Sequence, residues 1–274
     1  MNGVETRCSA VTGCLQLVFA PRANGTALVH AHAVAPLKII RPFVLSDGRA
    51  LVQVVTLGPG FCAGDRYTLE IIVETGARAV VVMQAASRIL GMAGNAQATQ
   101  TVNIRVDAGA QLEYYPGLTI PFADSSFEQR VHVDAAAETR IGLLDQWSTG
   151  RRCRNEHLRF RRLSSRTTVV IDGVPVYADA IELEPATADV SASGILEKHH
   201  YASAGFWHGA TCKSGAMDPR SDALVAFGGT APHQVYLRAL AMDSVVMTRV
   251  LEGALTRINT AWNQPAIPLR RFTS

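Results

Sequence analysis

A chain of 274 residues, 48% of them hydrophobic, carries enough apolar side chain for a substantial folded core. Its net charge of only +3 excludes a molecule that clamps nucleic acid through charge spread over its whole surface. Its longest apolar run, AVVVMQAASRILGMAG, is cut by Gln84 and Arg88 before it reaches the roughly 18 apolar residues a membrane-spanning helix needs.

In chain order, the N-terminus lacks the basic, then apolar, then small pattern of a signal peptide, so a cytoplasmic location is expected. Strands are then predicted at Cys14–Ala20, Ala27–Val34, Leu51–Leu57, Tyr67–Val73, Ala77–Met83, Gln97–Val106, Val131–Val133, Arg140–Trp147, Leu158–Leu163, Thr167–Ile171 and Val174–Leu183. Each is rich in β-branched or aromatic residues, and turn-forming residues bound it. A weak repeat joins them: VETGAR at Val73, VDAGAQ at Val106 and VDAAAE at Val133, spaced by 33 and 27 residues. A strand, a tight acidic turn and a return strand recurring in this way fit stacked hairpins or solenoid-like coils, each burying its apolar face on the next. The expected fold is therefore mainly β, a coiled two-layer architecture.

The C-terminal part, about residues 184–274, reads as mixed strand and helix. From Asp243 to Trp262, apolar Val246, Val250, Leu251, Leu255 and Ile258 recur at helical steps behind a capping Asp or Ser, and Pro265 lies just beyond. A second, weaker helix is predicted at Asp218–Phe227. With no Pro-, Gly- or Ser-rich linker to separate it from the β body of about residues 14–183, the whole chain is expected to be one domain, the helices packing on that body.

The chemistry in the sequence is spare. No G-x-S-x-G elbow surrounds Ser148 or Ser214, which argues against a serine hydrolase. The five cysteines (Cys8, Cys14, Cys62, Cys153 and Cys212) contain no C-x-x-C pair. His30 and His32 would share one strand face, a two-ligand edge without a third ligand in register, whereas the adjacent His199 and His200 would point apart. Between Thr149 and Arg166 lie seven arginines and one glutamate. On a strand, Arg159 and Arg161 would form a basic face opposite Leu158 and Phe160. With Arg151, Arg154 and Glu156 they would dock the carboxylates of a protein partner, or form a solvated face. The interleaved aromatics and stronger basic balance wanted for nucleic acid are lacking. The turn GPGFCAGD, Gly58 to Asp65, has neither dinucleotide-binding nor Walker spacing and leads into a strand rather than a helix.

Several segments together resemble the urease accessory protein family UreD, also called UreH. These are PLKIIRPF (36–43), the glycine-rich turn closing on Gly64 and Asp65, GARAVVVMQAASRIL, LEYYPGLTIPF (112–122), GRRCRNE (150–156) and the terminal PAIPLRRF. The resemblance implies a mainly β cytoplasmic scaffold, not an enzyme. It would bind apo-urease and, with two partner accessory proteins, one a GTPase, guide nickel into the urease active site, with nickel bound transiently and no permanent cofactor. It also implies an internal polar passage for the metal, shaped by Gly58, Gly60 and Gly64 and lined by Asp65. Asp145 matches a family carboxylate, and Asp179 stands where the family usually carries Glu. The turn departs from the family pattern at Pro59, Cys62 and Ala63, and Arg66 replaces an acidic residue. A second reading stays open from the residues alone: a β-rich ligand-binding protein or carboxylate-dependent hydrolase using Asp65, Asp145 and Asp179 around a pocket.

Overall fold

The computed structural model describes residues 10–213 and 222–268. The chain opens with β1 (Thr12–Arg22), β2 (Gly25–Val34), β3 (Leu37–Ile39), β4 (Phe43–Val44) and β5 (Ala50–Thr56). It winds on through β6 (Arg66–Val73), β7 (Arg78–Gln84), β8 (Ser87–Ile89), β9 (Ala98–Val106), β10 (Gln111–Tyr115), β11 (Leu118–Pro121), β12 (Ser126–Ala135) and β13 (Arg140–Ser148). It closes with β14 (Arg162–Ile171), β15 (Val174–Leu183), β16 (Tyr201–His208), β17 (Ala223–Ala231), β18 (Gln234–Ala241) and the helix α1 (Ser244–Ala261).

These strands form two facing sheets. The first runs β15-β14-β12-β9-β6-β1-β2, and the second is built on the order β17-β18-β16-β13-β10-β7-β5-β3. In the first, β1, β6, β9, β12 and β14 pair in parallel. In the second, β5, β7, β10 and β13 do the same. The chain thus crosses from one sheet to the other and back in successive coils, a β-solenoid whose stack ends in antiparallel partners: β2 and β15 on one sheet, β16 and β18 on the other.

The acidic repeats are the corners of the coils. Gly76 and Gly109 take left-handed φ of 73° and 67°, which only glycine adopts without strain. The corners also stack on one another, Gly76 N–H donating to the Ala108 carbonyl and Gly109 N–H to that of Glu138. The third corner lies two residues later than the repeated motif suggests, because Val106 aligns with Ala135 rather than Val133.

Inward residues alternate with outward ones along β6, β9 and β12, as a half-buried strand requires. β7 does not alternate. Ala79, Val81 and Met83 enter the core between the sheets, while Val80 and Val82 enter a second core beneath α1. Covering both faces of the second sheet is what makes AVVVM continuously apolar. The Asp243 carboxylate accepts the Val246 N–H at 2.8 Å, capping α1. Met247, Val250, Leu251, Leu255 and Ile258 face that second core.

Under the C-terminal end of α1 lies a buried ion pair. Arg49 and Glu113 are 1% and 0% exposed and bonded to each other. Arg49 also reaches Asp47 at 2.7 Å and the Pro265 carbonyl at 2.6 Å. Glu113 accepts from Tyr115 at 2.9 Å and from Gln264 at 3.2 Å. Burial pushes the Glu113 carboxyl upward and the Arg49 guanidinium pulls it back.

Two expectations are corrected. Residues 218–221 of the weaker predicted helix lie outside the described residues, and Ala223–Phe227 begins β17, an edge strand in which Ala223 and Val225 are half-buried, Leu224 and Ala226 exposed and Phe227 buried. The strand predicted at Leu158–Leu163 starts only at Arg162; before it, Leu158 has a positive φ of 53°, which breaks an extended chain. Part of the terminal PAIPLRRF, residues 269–272, also falls outside the described residues.

Removing one partner of the buried pair should cost far more than replacing both. Glu113→Ala is expected to lower unfolding stability by about 3–5 kcal/mol in denaturant titration, and the double change Arg49→Met with Glu113→Leu by much less.

Candidate functional site

Most of the residues facing the solenoid interior are apolar, but a row of polar ones crosses the first sheet. Parallel pairing sets Tyr67 beside Gln100, Gln100 beside Gln129 and Gln129 beside Ser165, on β6, β9, β12 and β14. Gln100 and Gln129 occupy inward slots otherwise held by Ala98, Val102, Phe127 and Val131, and are 3% and 5% exposed. Three strand spacings of about 4.8 Å make this row about 14 Å long.

A carboxylate stands at each end. Asp65, 1% exposed, accepts the N–H of Val11 at 2.9 Å and of Cys62 at 2.8 Å, and the Tyr67 hydroxyl at 3.2 Å. It therefore closes its own turn and also touches the first member of the row. At the other end Asp145, carried on β13 in the opposite sheet, accepts the Ser165 hydroxyl at 2.6 Å and the Gln129 amide at 3.3 Å. Burial raises the Asp145 carboxyl above the ordinary range; hydrogen bonds from Ser165 and Gln129 oppose this, and the Asp179 charge adds to it.

Asp145 and Asp179 line one small cavity of about 10 Å³ with Tyr114, Gln129, Thr167 and Tyr177. That is room for a single water or ion. Asp179 is paired with Arg238, whose side chain reaches the surface. Burial and the Asp145 charge push the Tyr114 phenol up, and burial with the Asp179 charge does so at Tyr177. The structure thus brings Asp145 and Asp179 together and sets Asp65 at the other end of the strand-register row of Tyr67, Gln100, Gln129 and Ser165.

Gly58 and Gly60 line a different cavity, of about 320 Å³, with Gln84, Ser87 and Arg88. Gly60 has φ of 139°, and a Cβ there would lie 2.3 Å from the Arg88 carbonyl oxygen, so close approach of two loops fixes this glycine. Gly64 neighbours Ala10.

The arginine run is not one basic face. Arg151 donates to Glu156 at 2.7 Å and lies 3.9 Å over the Phe122 ring. Arg161 donates to the carbonyls of Gly94, Ala96 and Asp124, tying three loops together. Arg152, Arg154, Arg159 and Arg166 are exposed; Arg152 donates to the Met242 carbonyl and Arg166 pairs with Glu182, which leaves Arg154 and Arg159 pointing to solvent among the predicted docking residues. His30 and His32 are exposed on β2, and His199 is buried with Nδ1 3.0 Å from the Leu196 carbonyl. Among the described residues no group of three or more His, Cys, Asp or Glu is placed to hold a metal ion. No helix among them is long and apolar enough to cross a membrane.

Sequence reasoning missed Tyr67, Gln100, Gln129 and Ser165. The signal was present in the period-two alternation: a glutamine in an inward slot of a core strand is anomalous unless it has polar neighbours.

Solenoid coils around a buried polar row, closed by a capping helix, define a two-sheet β-solenoid protein. The chain matches the family model described as "UreD urease accessory protein" over residues 11–273. It is 31% identical to urease accessory protein UreD 1 of Synechococcus sp. (strain JA-3-3Ab), covering 95% of this chain and 96% of that relative. It is 33% identical to urease accessory protein UreD of Deinococcus radiodurans over 84% of each. The chain belongs to the UreD urease accessory protein family.

The charged form of Asp145 is disfavoured by its burial, so its folded pKa lies above its unfolded one and its contribution to stability is lost at neutral pH. Asp145→Asn should therefore melt at an equal or higher temperature than the parent at pH 7. The parent should recover the difference as pH falls toward about 4, where an unfolded Asp titrates. Melting curves from pH 4 to 7 check the sign.

Proposed function

We propose that this chain is a non-catalytic scaffold of urease maturation, which binds apo-urease and two other accessory proteins, one a GTPase, in the cytoplasm. In this reading the buried row is the route along which nickel, the cargo, is guided toward urease. The observation that carries it is the alignment of Asp65, Tyr67, Gln100, Gln129, Ser165 and Asp145 across a largely apolar core.

A divalent cation cannot cross a dry interior without ligands, because desolvation costs far more than packing returns. Carboxylate, amide and hydroxyl oxygens spaced one strand apart replace hydration water in steps, and neutral oxygens between two carboxylates bind weakly enough to release. The two carboxylates would load and unload the route, and Asp179, held by Arg238, would gate the end near the surface. With room for about one water beside Asp145, movement along the row requires side chains to rotate, which partner binding would promote. The same cavity is far too small for a sugar or peptide, which disfavours the hydrolase reading.

Of the predicted docking residues, Arg154 and Arg159 are exposed enough to meet a partner's carboxylates, whereas Arg151, Glu156 and Arg161 support the loop that presents them.

Two experiments test this reading. In cells co-expressing urease and its accessory proteins, Asp65→Asn and Asp145→Asn should each lower urease nickel content severalfold while the accessory complex still copurifies. Nickel content at the parental level in both variants contradicts the route. Arg154→Glu with Arg159→Glu should weaken copurification with partners without lowering the melting temperature, whereas Arg151→Glu should lower it, by breaking the Glu156 pair. Undiminished copurification of the double variant removes these arginines from the docking surface.

A further inference from the structure

Just beyond the paired ends of β13 and β16, three side chains from separate stretches of chain converge. The Nδ1 atoms of His157 and His200 lie 3.3 Å apart, with the rings edge to face at a centroid distance of 4.7 Å. The Thr149 hydroxyl oxygen is 2.9 Å from Nδ1 of His157 and 3.5 Å from Nδ1 of His200. Two imidazole nitrogens bound at about 2.0–2.1 Å to one tetrahedral ion stand about 3.3–3.4 Å apart. The three donor atoms therefore span a triangle of the size of one face of a coordination polyhedron.

The backbone holds this triangle in place. Thr149 N–H donates to the His200 carbonyl at 2.9 Å, continuing the β13–β16 ladder by one pair. Leu158 N–H donates to the Thr149 carbonyl at 2.7 Å, which fixes the chain next to His157. Thr149 is itself fully buried, so the hydroxyl is anchored while His157 stays exposed to water. We propose that His157 and His200, with the Thr149 hydroxyl beside them, form a surface site for one borderline divalent transition-metal ion of the nickel or zinc class, water completing its coordination.

Imidazole nitrogen is the ligand such ions prefer over calcium or magnesium. The Arg152 guanidinium lies close enough to act electrostatically on both histidines. Arg152 donates to the Met242 carbonyl at 2.7 Å, and its charge keeps the site weak and reversible. The site stands at the end of the strand that carries Asp145, four residues or about 13 Å away along β13. The proposal needs neither urease nor the buried route.

The test is calorimetric titration of the purified full chain with NiCl2 and, separately, ZnCl2 at neutral pH. The parent should bind one equivalent that His157→Gln and His200→Gln each weaken by at least about tenfold, the loss expected on disturbing even a supporting group of a ligand. Melting temperatures should not change, because Gln keeps a partner for Thr149. His30→Gln with His32→Gln should leave that equivalent intact. Absence of the equivalent in the parent, or the same affinity in both single variants, overturns the site. Because the readout is binding by the isolated chain, normal urease activation in these variants would leave it standing, and failure of the buried route would not touch it.

Discussion

Parallel register is the constraint on which this structure depends. In a solenoid of parallel strands each inward position stacks on the equivalent position of the next coil, so like must meet like across the whole sheet. One buried glutamine in β9 would be an expense with no return. With Tyr67 on one side of it and Gln129 and Ser165 beyond on the other, it becomes a row whose members offer each other polar neighbours. The same stacking aligns Gly76 with Gly109 at the corners and Ala77 with Ala110 inside them.

The second sheet solves a different problem. Its strands are covered on both faces, by the first sheet and by α1, and the helix is fastened at its far end by the buried pair of Arg49 and Glu113. That fastening involves Asn259, Gln264 and Pro265, and Glu113 sits one residue before Tyr114, whose ring enters the space beside Asp145. The capping helix and the polar row are therefore anchored through the same strand, β10. Distortion there would be felt at both.

Much of the fold was legible in the sequence because it depends on local pattern. Runs of β-branched and aromatic residues bounded by turn formers located β6, β9 and β15, and helical spacing behind Asp243 located α1. The acidic turns announced the coils, although the third copy misled by two residues because Ala135, not Val133, holds the place of Val106. What failed was decided by tertiary contacts. Arg159 and Arg161 alternate with apolar residues as a strand would, yet Arg161 is drawn into three backbone carbonyls and the chain bends at Leu158. Strand β16 was hidden because its antiparallel partners β13 and β18 lie far away in sequence, and β17, one arm of the β17–β18 hairpin, was read as part of a helix. The resemblance supplied the two end carboxylates, Asp65 and Asp145. The neutral residues between them went unseen, since a glutamine reads as an outward residue until the register of its neighbours is known.

The central claim is that the aligned polar side chains, not the carboxylates alone, form the route. Gln129 is its most direct test, because Gln129 carries no charge, sits in mid-row and is bonded to both Ser165 and Asp145. Replacing it by Leu plugs the row with apolar volume while retaining bulk in the core. The decisive measurement is the nickel content of urease purified from cells carrying Gln129→Leu, alongside the melting temperature and complex formation of the variant. The account predicts nickel-poor urease from a folded, complex-forming scaffold. Fully loaded urease under those conditions would contradict it.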